Sequence, residues 1–202
     1  MTLTALALVC TLKPSPEPSS TELIASQVLE DLKEHGVTGT SLRVVDEDVR
    51  PGVLTDMGDG DAWPGIRQQV LDADILVLAT PIWMGHASSV AHRVLERLDA
   101  ELSETQADGR PSLFDKVAVA AIVGNEDGAH AISADLFQAL NDVGFTIPAQ
   151  GVTYWDGQAM KDTDYQDLPS TPKEVASATA TLAANAAHLA AVLSAQGYPK
   201  SE

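Results

Sequence analysis

The sequence predicts an α/β fold, a doubly wound parallel sheet of five strands in the order 2-1-3-4-5. Three observations predict it. Short, near-continuous apolar runs recur at residues 3–9, 73–81 and 116–124, and strands apolar on both faces belong to parallel sheets covered by helices on each side. Stretches with helical spacing separate the runs, giving β-α-β-α-β-α-β-α-β-α. The chain has 202 residues, 45% of them apolar, which suits one such unit spanning 1–202 with a sizeable core. Five strands in this alternation point to the 2-1-3-4-5 order.

Each element has its own signal. Leu3, Leu6, Leu8 and Val9 form a first strand closed by a proline-rich turn signal. Residues 20–35 read as a helix, with Leu23, Val28, Leu29 and Leu32 on one face. Ser19 and Glu22 stand at capping-box spacing, and His35-Gly36 stops the helix. Residues 41–46 (SLRVVD) read as a second strand, 47–64 as a Gly/Asp/Pro loop, and 65–72 as a short helix. After the third strand (73–81), Val90, Val94, Leu95, Leu98 and Leu102 mark a helix over 88–102, and 107–111 is a turn. The fourth strand is 116–124, followed by a helix carrying Ile132, Leu136, Leu140 and Val143. Residues 145–155 read as a fifth strand, at an edge because Pro148 cannot donate to a ladder. Thr171-Pro172-Lys173-Glu174 has the form of a capping box with proline at the first helical position, and Val175, Leu182, Ala186, Leu189 and Leu193 follow along one face.

Composition excludes several functions. With 12 basic against 29 acidic residues the net charge is −17, which opposes nonspecific binding to nucleic acid. No uninterrupted apolar run reaches the roughly 18 residues that suggest a membrane helix. Residues 1–10 contain no Lys or Arg, and Val9 rather than a small residue precedes Cys10, so neither an export signal nor a lipoprotein site is expected. A cytoplasmic location is the expectation. One cysteine excludes an internal disulfide and any cysteine-cluster metal site. No metal is expected.

In an open parallel sheet a ligand lies beyond the carboxyl ends of the strands where the strand order reverses. That directs attention to three loops. The first, "TLKPSPEPSST" (11–21), offers the hydroxyls of Thr11, Ser15, Ser19, Ser20 and Thr21, the charge of Lys13 and a helix N-terminus, a combination suited to a phosphate. Helix capping and a proline-stiffened loop explain part of the same pattern. Neither a Walker A sequence nor G-x-G-x-x-G is present. Pro14, Pro16 and Pro18 have no N–H to donate, so an anion must be held by 11–13 and 19–21, with 14–18 an extended excursion. In the second loop, Pro81, Ile82, Trp83, Met84 and Gly85 follow the third strand; Trp83 and Met84 could wall a flat ring or cover the edge of the core. The third, "GNEDGAH" (Gly124, Asn125, Glu126, Asp127, Gly128, Ala129, His130), could present backbone N–H groups to a ring or be a plain turn before a helix. Tyr154 and Trp155 could line an acceptor pocket or pack beneath the loop 157–169.

Taken together, "TLKPSPEPSSTEL", "TPIWMGHASS", "GNEDGAH" and "TYWDGQAMKDTDYQDLPSTP" resemble the flavodoxin-like NAD(P)H-dependent FMN reductase family over nearly the whole chain. The first loop departs from that family's G-S-x-R pattern, with Cys10 at the glycine, Thr11 at the serine and Lys13 at the arginine. The resemblance implies noncovalent FMN, its phosphate at Thr11, Lys13, Ser19, Ser20 and Thr21 and its ring by 81–85 and 124–128, with Glu126, Asp127 or His130 able to tune it. It also implies NAD(P)H as electron donor, a quinone, flavin or similar small molecule as acceptor, no catalytic acid or base supplied by the protein, and a homodimer or homotetramer whose partner covers the flavin. An alternative is a flavodoxin-type electron carrier docking on a basic redox partner protein, which the acidic charge suits. A third is a fold without flavin, acting as a binding protein or scaffold.

Overall fold

The computed structural model describes residues 2–157 and 161–199. Its elements run β1 (Leu3–Val9), α1 (Ser20–Glu34), β2 (Val37–Arg43), α2 (Trp63–Asp72), β3 (Ile75–Trp83), β4 (His86–Ala87), α3 (Ser89–Leu98), β5 (Val117–Val123), α4 (Ala129–Asp142), β6 (Val152–Trp155) and α5 (Lys173–Ala195). The sheet order is β2-β1-β3-β5-β6, all parallel, and the two-residue β4 folds back antiparallel on the end of β3. Without β4 this is the expected 2-1-3-4-5 order.

Alternation along each strand divides the core into two layers. Leu6, Leu8, Leu76, Leu78, Ala120 and Ile122 meet α2, α3 and α4 on one face. Ala5, Ala7, Val77, Val119 and Ala121 meet α1 and α5 on the other. By length and composition α5 could cross a membrane, but Leu182, Ala183, Ala186 and Ala190 are buried against the sheet.

Several boundaries differ from the sequence expectation, each for a physical reason. The second strand is Val37–Arg43, and Val44–Asp46 turns as a 3-10 helix. Its central residues 38–41 are exposed on an edge strand, so its apolar signal is weak. The short helix begins at Trp63, with Pro64 in its first turn, and the helix after it stops at Leu98 before a 3-10 turn. The fifth strand is only Val152–Trp155, so Pro148 lies in the approach to it; in that approach Thr146 bridges to Val117 and Gly151 O accepts the Ala120 N–H. Glu22 does not complete a capping box. Ser19 Oγ accepts the Glu22 N–H at 3.4 Å, while the Glu22 carboxylate is paired with Arg43. Thr171 does not cap α5 either, because its hydroxyl accepts from Gln27 Nε2 at 2.9 Å.

The ends of β1 and β3 are tied together by Ser88, the N-cap of α3. Its hydroxyl donates to Cys10 O at 2.6 Å and accepts the Ala91 N–H at 3.1 Å, and its own N–H donates to Thr80 Oγ1 at 3.0 Å. Cys10 N–H in turn donates to Ala79 O at 2.8 Å. Cys10 is fully buried, and burial pushes its thiol up, away from reactivity.

The loop between β2 and α2 is pinned by a buried ion pair. Arg97 of α3 lies 2.8 Å from Asp61, and both side chains are fully buried. Arg97 also donates to Arg50 O at 2.9 Å and Leu54 O at 2.7 Å, and its guanidinium lies 5.6 Å from the Trp63 ring centroid. Burial acts to raise the Asp61 pKa. The N–H groups of Met57 and Trp63, the Arg97 guanidinium and the Arg50 N–H outweigh it and bring the pKa down to about 2.

Two predictions follow from these contacts. Asp61→Ala leaves the Arg97 charge buried and uncompensated, so the free energy of unfolding in urea should fall by about 3–5 kcal/mol at pH 7. Because the folded Asp61 pKa is depressed, its contribution is full above its ordinary value and is lost as pH falls through about 2, so the difference between variant and parent should shrink over that acid range. Ser88→Ala removes both an N-cap and the bond to Cys10 O, and should cost about 1–2 kcal/mol in the same measurement.

Candidate functional site

β1 and β3 are neighbours in the sheet, yet β1 leads to α1 on one face and β3 to α3 on the other. Their outgoing loops therefore part, and a cleft opens between them beyond the strand ends. It encloses about 580 Å³, the solvent at its mouth included.

One end of the cleft gathers groups suited to an anion. Thr11, Lys13, Ser19, Ser20 and Thr21 line it. The backbone N–H groups of Ser20 and Thr21, at the start of α1, have no partner among the described residues. Nor does the Lys13 ammonium pair with any described carboxylate. Arg43 holds the loop in shape from behind. It is 7% exposed, donates to Lys13 O at 3.1 Å and Glu17 O at 2.9 Å, and pairs with Glu22. The proline segment is not an extended excursion: Glu17 N–H donates to Pro14 O at 3.0 Å in a turn whose Ser15–Pro16 peptide is cis. Ser15 does not line the cleft. Its N–H and hydroxyl donate to Asp46 at 2.8 and 2.5 Å, and these bonds lower the Asp46 pKa.

The other end is apolar. Pro81, Ile82, Trp83, Val123, Gly124, Asn125 and Trp155 line it. Trp83 is 53% exposed although it lines the cleft. Met84 and Gly85 form the two-residue tip of the β3–β4 hairpin, with φ of 52° and 78°, the positive values that such hairpins require. They project past the cleft, and Met84 is 88% exposed. Glu126, Asp127, Gly128 and His130 are outside the lining as well. Gly128, at φ 133°, packs its backbone on Gly85, where a Cβ would come within 2.7 Å of Gly85 O. This contact supports the hairpin. His130 Nε2 lies 3.1 Å from Tyr154 Oη, on the α4 side of the sheet.

Three lining residues, Val123, Asp164 and Tyr165, were absent from the sequence expectation for the site, and Trp155 was expected there only as one of two alternatives. Strand alternation could have separated Trp155 from Tyr154, since the two pack against opposite core layers. Asp164 and Tyr165 belong to a strap crossing from β6 to α5, of which residues 158–160 lie outside the described residues. The strap is fastened at both ends of the cleft. Gln166 N–H donates to Ser20 Oγ at 3.2 Å, and Asn125 Nδ2 donates to Lys161 O at 3.0 Å. Between them the Tyr165 ring packs at 5.4 Å from Trp155, and its hydroxyl donates to Gln27 at 2.7 Å. Burial raises the Tyr165 pKa against the opposing effect of its hydrogen bonds.

The arrangement offers free N–H donors, hydroxyls and an ammonium at one end and an apolar lining that includes two indoles at the other, a donor set that fits a phosphorylated, flat heteroaromatic ligand. Comparisons with known proteins agree. The family described as NADPH-dependent FMN reductase matches residues 4–160. The chain is 40% identical over 169 residues to a protein of Mycobacterium bovis named divalent metal cation transporter MntH, covering 82% of this chain and 25% of that one. It is 33% identical over 169 residues to 8-demethyl-8-aminoriboflavin-5'-phosphate synthase of Streptomyces davaonensis, covering 79% of this chain and 65% of that one. It thus spans a quarter of the first relative and just under two thirds of the second. The crystal structure of RosB with bound 8-demethyl-8-formylriboflavin-5'-phosphate superposes with a TM-score of 0.87 at 30% identity, over 97% of this chain and 82% of that one. The fold is flavodoxin-like, and the chain belongs to the NADPH-dependent FMN reductase family.

Proposed function

We propose that the protein is an FMN-dependent oxidoreductase passing electrons from NAD(P)H to a small acceptor, a quinone, a flavin or a similar ring. The observation that carries this reading is the cleft between the β1 and β3 loops, with unpaired N–H groups and Lys13 at one end and Trp83 and Trp155 at the other. When bound, FMN supplies the chemistry, accepting a hydride and passing on two electrons. The protein's part is binding and orientation. Ser20 N–H, Thr21 N–H, the hydroxyls of Thr11, Ser19, Ser20 and Thr21 and the Lys13 ammonium would hold the phosphate. Pro81, Ile82 and Trp83 would bound the ring on one side, and Gly124 and Asn125 would meet its polar edge. The half-exposed Trp83 leaves the mouth open for donor and acceptor to approach in turn. No side chain in the cleft has to exchange a proton for this chemistry.

The similarity to a riboflavin-phosphate-processing synthase favours a second reading, in which a flavin phosphate is the substrate and leaves chemically altered. One preparation separates the readings. The purified chain is mixed with FMN and its visible spectrum recorded before and after anaerobic NADH or NADPH. Rapid bleaching is the result expected of a reductase. Bound flavin that neither nucleotide bleaches favours an electron carrier. Released flavin with changed absorbance and chromatographic retention favours the synthase reading. Absence of binding would sink all three.

The phosphate assignment is tested by Ser20→Glu, which sets a carboxylate at the helix N-terminus. It should raise the Kd for FMN by about tenfold or more, roughly 1.4 kcal/mol per tenfold, and by clearly more than the Kd for riboflavin, which has no phosphate and registers only the loss of the Gln166–Ser20 bond. Equal Kd values for FMN in variant and parent would remove Ser20 from the site.

A further inference from the structure

Among the described residues the strap meets α1 through three hydrogen bonds, and one of them ends on a group that lines the cleft. Tyr165 Oη donates to Gln27 at 2.7 Å, and Gln27 Nε2 donates to Thr171 Oγ1 at 2.9 Å. Gln27 is outside the cleft lining. The third bond runs from Gln166 N–H to Ser20 Oγ at 3.2 Å, and Ser20 is a lining residue in the first turn of α1. Ser20 and Gln27 stand two helical turns apart, so the strap lies along one face of α1. It also carries Tyr165, whose ring packs on Trp155 at the apolar end.

A serine hydroxyl has one proton to donate and two positions that accept. Ser20 Oγ uses an accepting position on Gln166 N–H, and its proton is directed at no described acceptor. The N–H groups of Ser20 and Thr21 beside it are unpartnered too. One oxygen atom therefore joins the strap to the end of the cleft suited to an anion. Resting on the flavin reading above, we propose that Ser20 is a specificity-determining residue that couples the strap to the ligand's phosphate. Its hydroxyl donates to the phosphate while accepting from Gln166, so a phosphorylated flavin fastens the strap, and Tyr165 with it, and an unphosphorylated one does not. A hydroxyl that donates to an anion is polarised into a better acceptor, which strengthens the Gln166 bond. The coupling is reciprocal: a fastened strap raises the affinity for the phosphate by the same factor. Selection for a phosphorylated ligand then exceeds what direct contacts give, and it responds to Tyr165, whose hydroxyl is committed to Gln27.

The test is amide hydrogen exchange of the full chain and of Ser20→Ala, read on the strap, where the N–H groups of Gln166, Asp167 and Leu168 are all bonded. The probes are FMN, riboflavin and inorganic phosphate, with flavin binding followed separately by fluorescence so that each flavin is compared at saturation. In the parent, FMN should slow strap exchange by roughly twofold to tenfold more than riboflavin, as expected for one strengthened hydrogen bond, and phosphate alone should slow it as well. In Ser20→Ala the two flavins should protect the strap equally. The reciprocal arm uses Tyr165→Phe, which keeps the ring on Trp155 and removes the bond to Gln27. The ratio of the riboflavin Kd to the FMN Kd should fall there by roughly twofold to tenfold. Equal protection of the strap by FMN and riboflavin in the parent would overturn the proposal. So would FMN-specific protection that persists in Ser20→Ala, because the phosphate would then act on the strap by another route, and so would an unchanged Kd ratio in Tyr165→Phe. If the parent chain binds neither flavin, the flavin reading fails and this proposal with it; normal FMN binding with a strap indifferent to the phosphate sinks this proposal alone.

Discussion

The geometry of the site depends on the hydrogen bonds that Ser88 makes where β1 and β3 end. The two strands must run side by side to this point and then part to opposite faces. One hydroxyl marks the divergence: it holds the carbonyl of Cys10, the residue just after β1, and starts α3. The Thr80 hydroxyl locks the Ser88 N–H to the end of β3 from the other side. These groups are buried, so each bond left unmade would carry a desolvation cost. With the strand ends fixed, the first loop and the hairpin have fixed origins, and the cleft between them has a width that ligand binding does not have to create.

Above that floor, shape is imposed by groups that never enter the cleft. Arg43 bonds the carbonyls on both sides of the proline turn and the first-turn carboxylate of α1, so the loop and the helix N-terminus move as one body. The hairpin is propped by the backbone contact of Gly85 with Gly128, an approach closed to any side chain. Gly157, at φ 61°, plays a similar part in the strap, where a Cβ would fall 2.9 Å from the Trp155 ring. Supporting residues of this kind hold contact groups within the narrow tolerance that oriented binding needs.

The sequence revealed the fold more fully than the site because the two rest on different ranges of interaction. Runs such as ILVLATP are apolar for the local reason that both faces are covered, and that leaves a pattern readable in seven residues. The same holds for the helix start at Ser19. The Glu22 carboxylate shows the limit. Its spacing from Ser19 satisfies the capping-box pattern, but Arg43, twenty-one residues away, takes it. Arg97 and Asp61 have no local signature at all, because their pairing exists only once α3 packs over the preceding loop. In the site, residues 11–13, 19–21, 81–83 and 124–125 were legible because chain topology brings strand-end loops together. Asp164 and Tyr165 were not, because a strap is positioned by its fastenings, here Ser20, Gln27 and Asn125, and none of these adjoins it in sequence.

The charge of the chain sharpens the role of the helix N-terminus. A net charge of −17 produces a field that opposes any incoming dianion. Arg43 does not counter it, since its charge is matched by Glu22 and its donors are directed at loop carbonyls. That leaves Lys13 and the unpartnered N–H groups of α1. Distance decides between the opposing effects: most carboxylates lie on the surface and are screened over about 8 Å at physiological ionic strength, whereas donors in direct contact with a ligand are not. On the proposed reading, an anion in this cleft would be held chiefly by oriented dipoles, whose strength does not depend on the rest of the surface. The acidic exterior can then serve solubility without weakening the site, and a single lysine at the proposed phosphate end is consistent with that division.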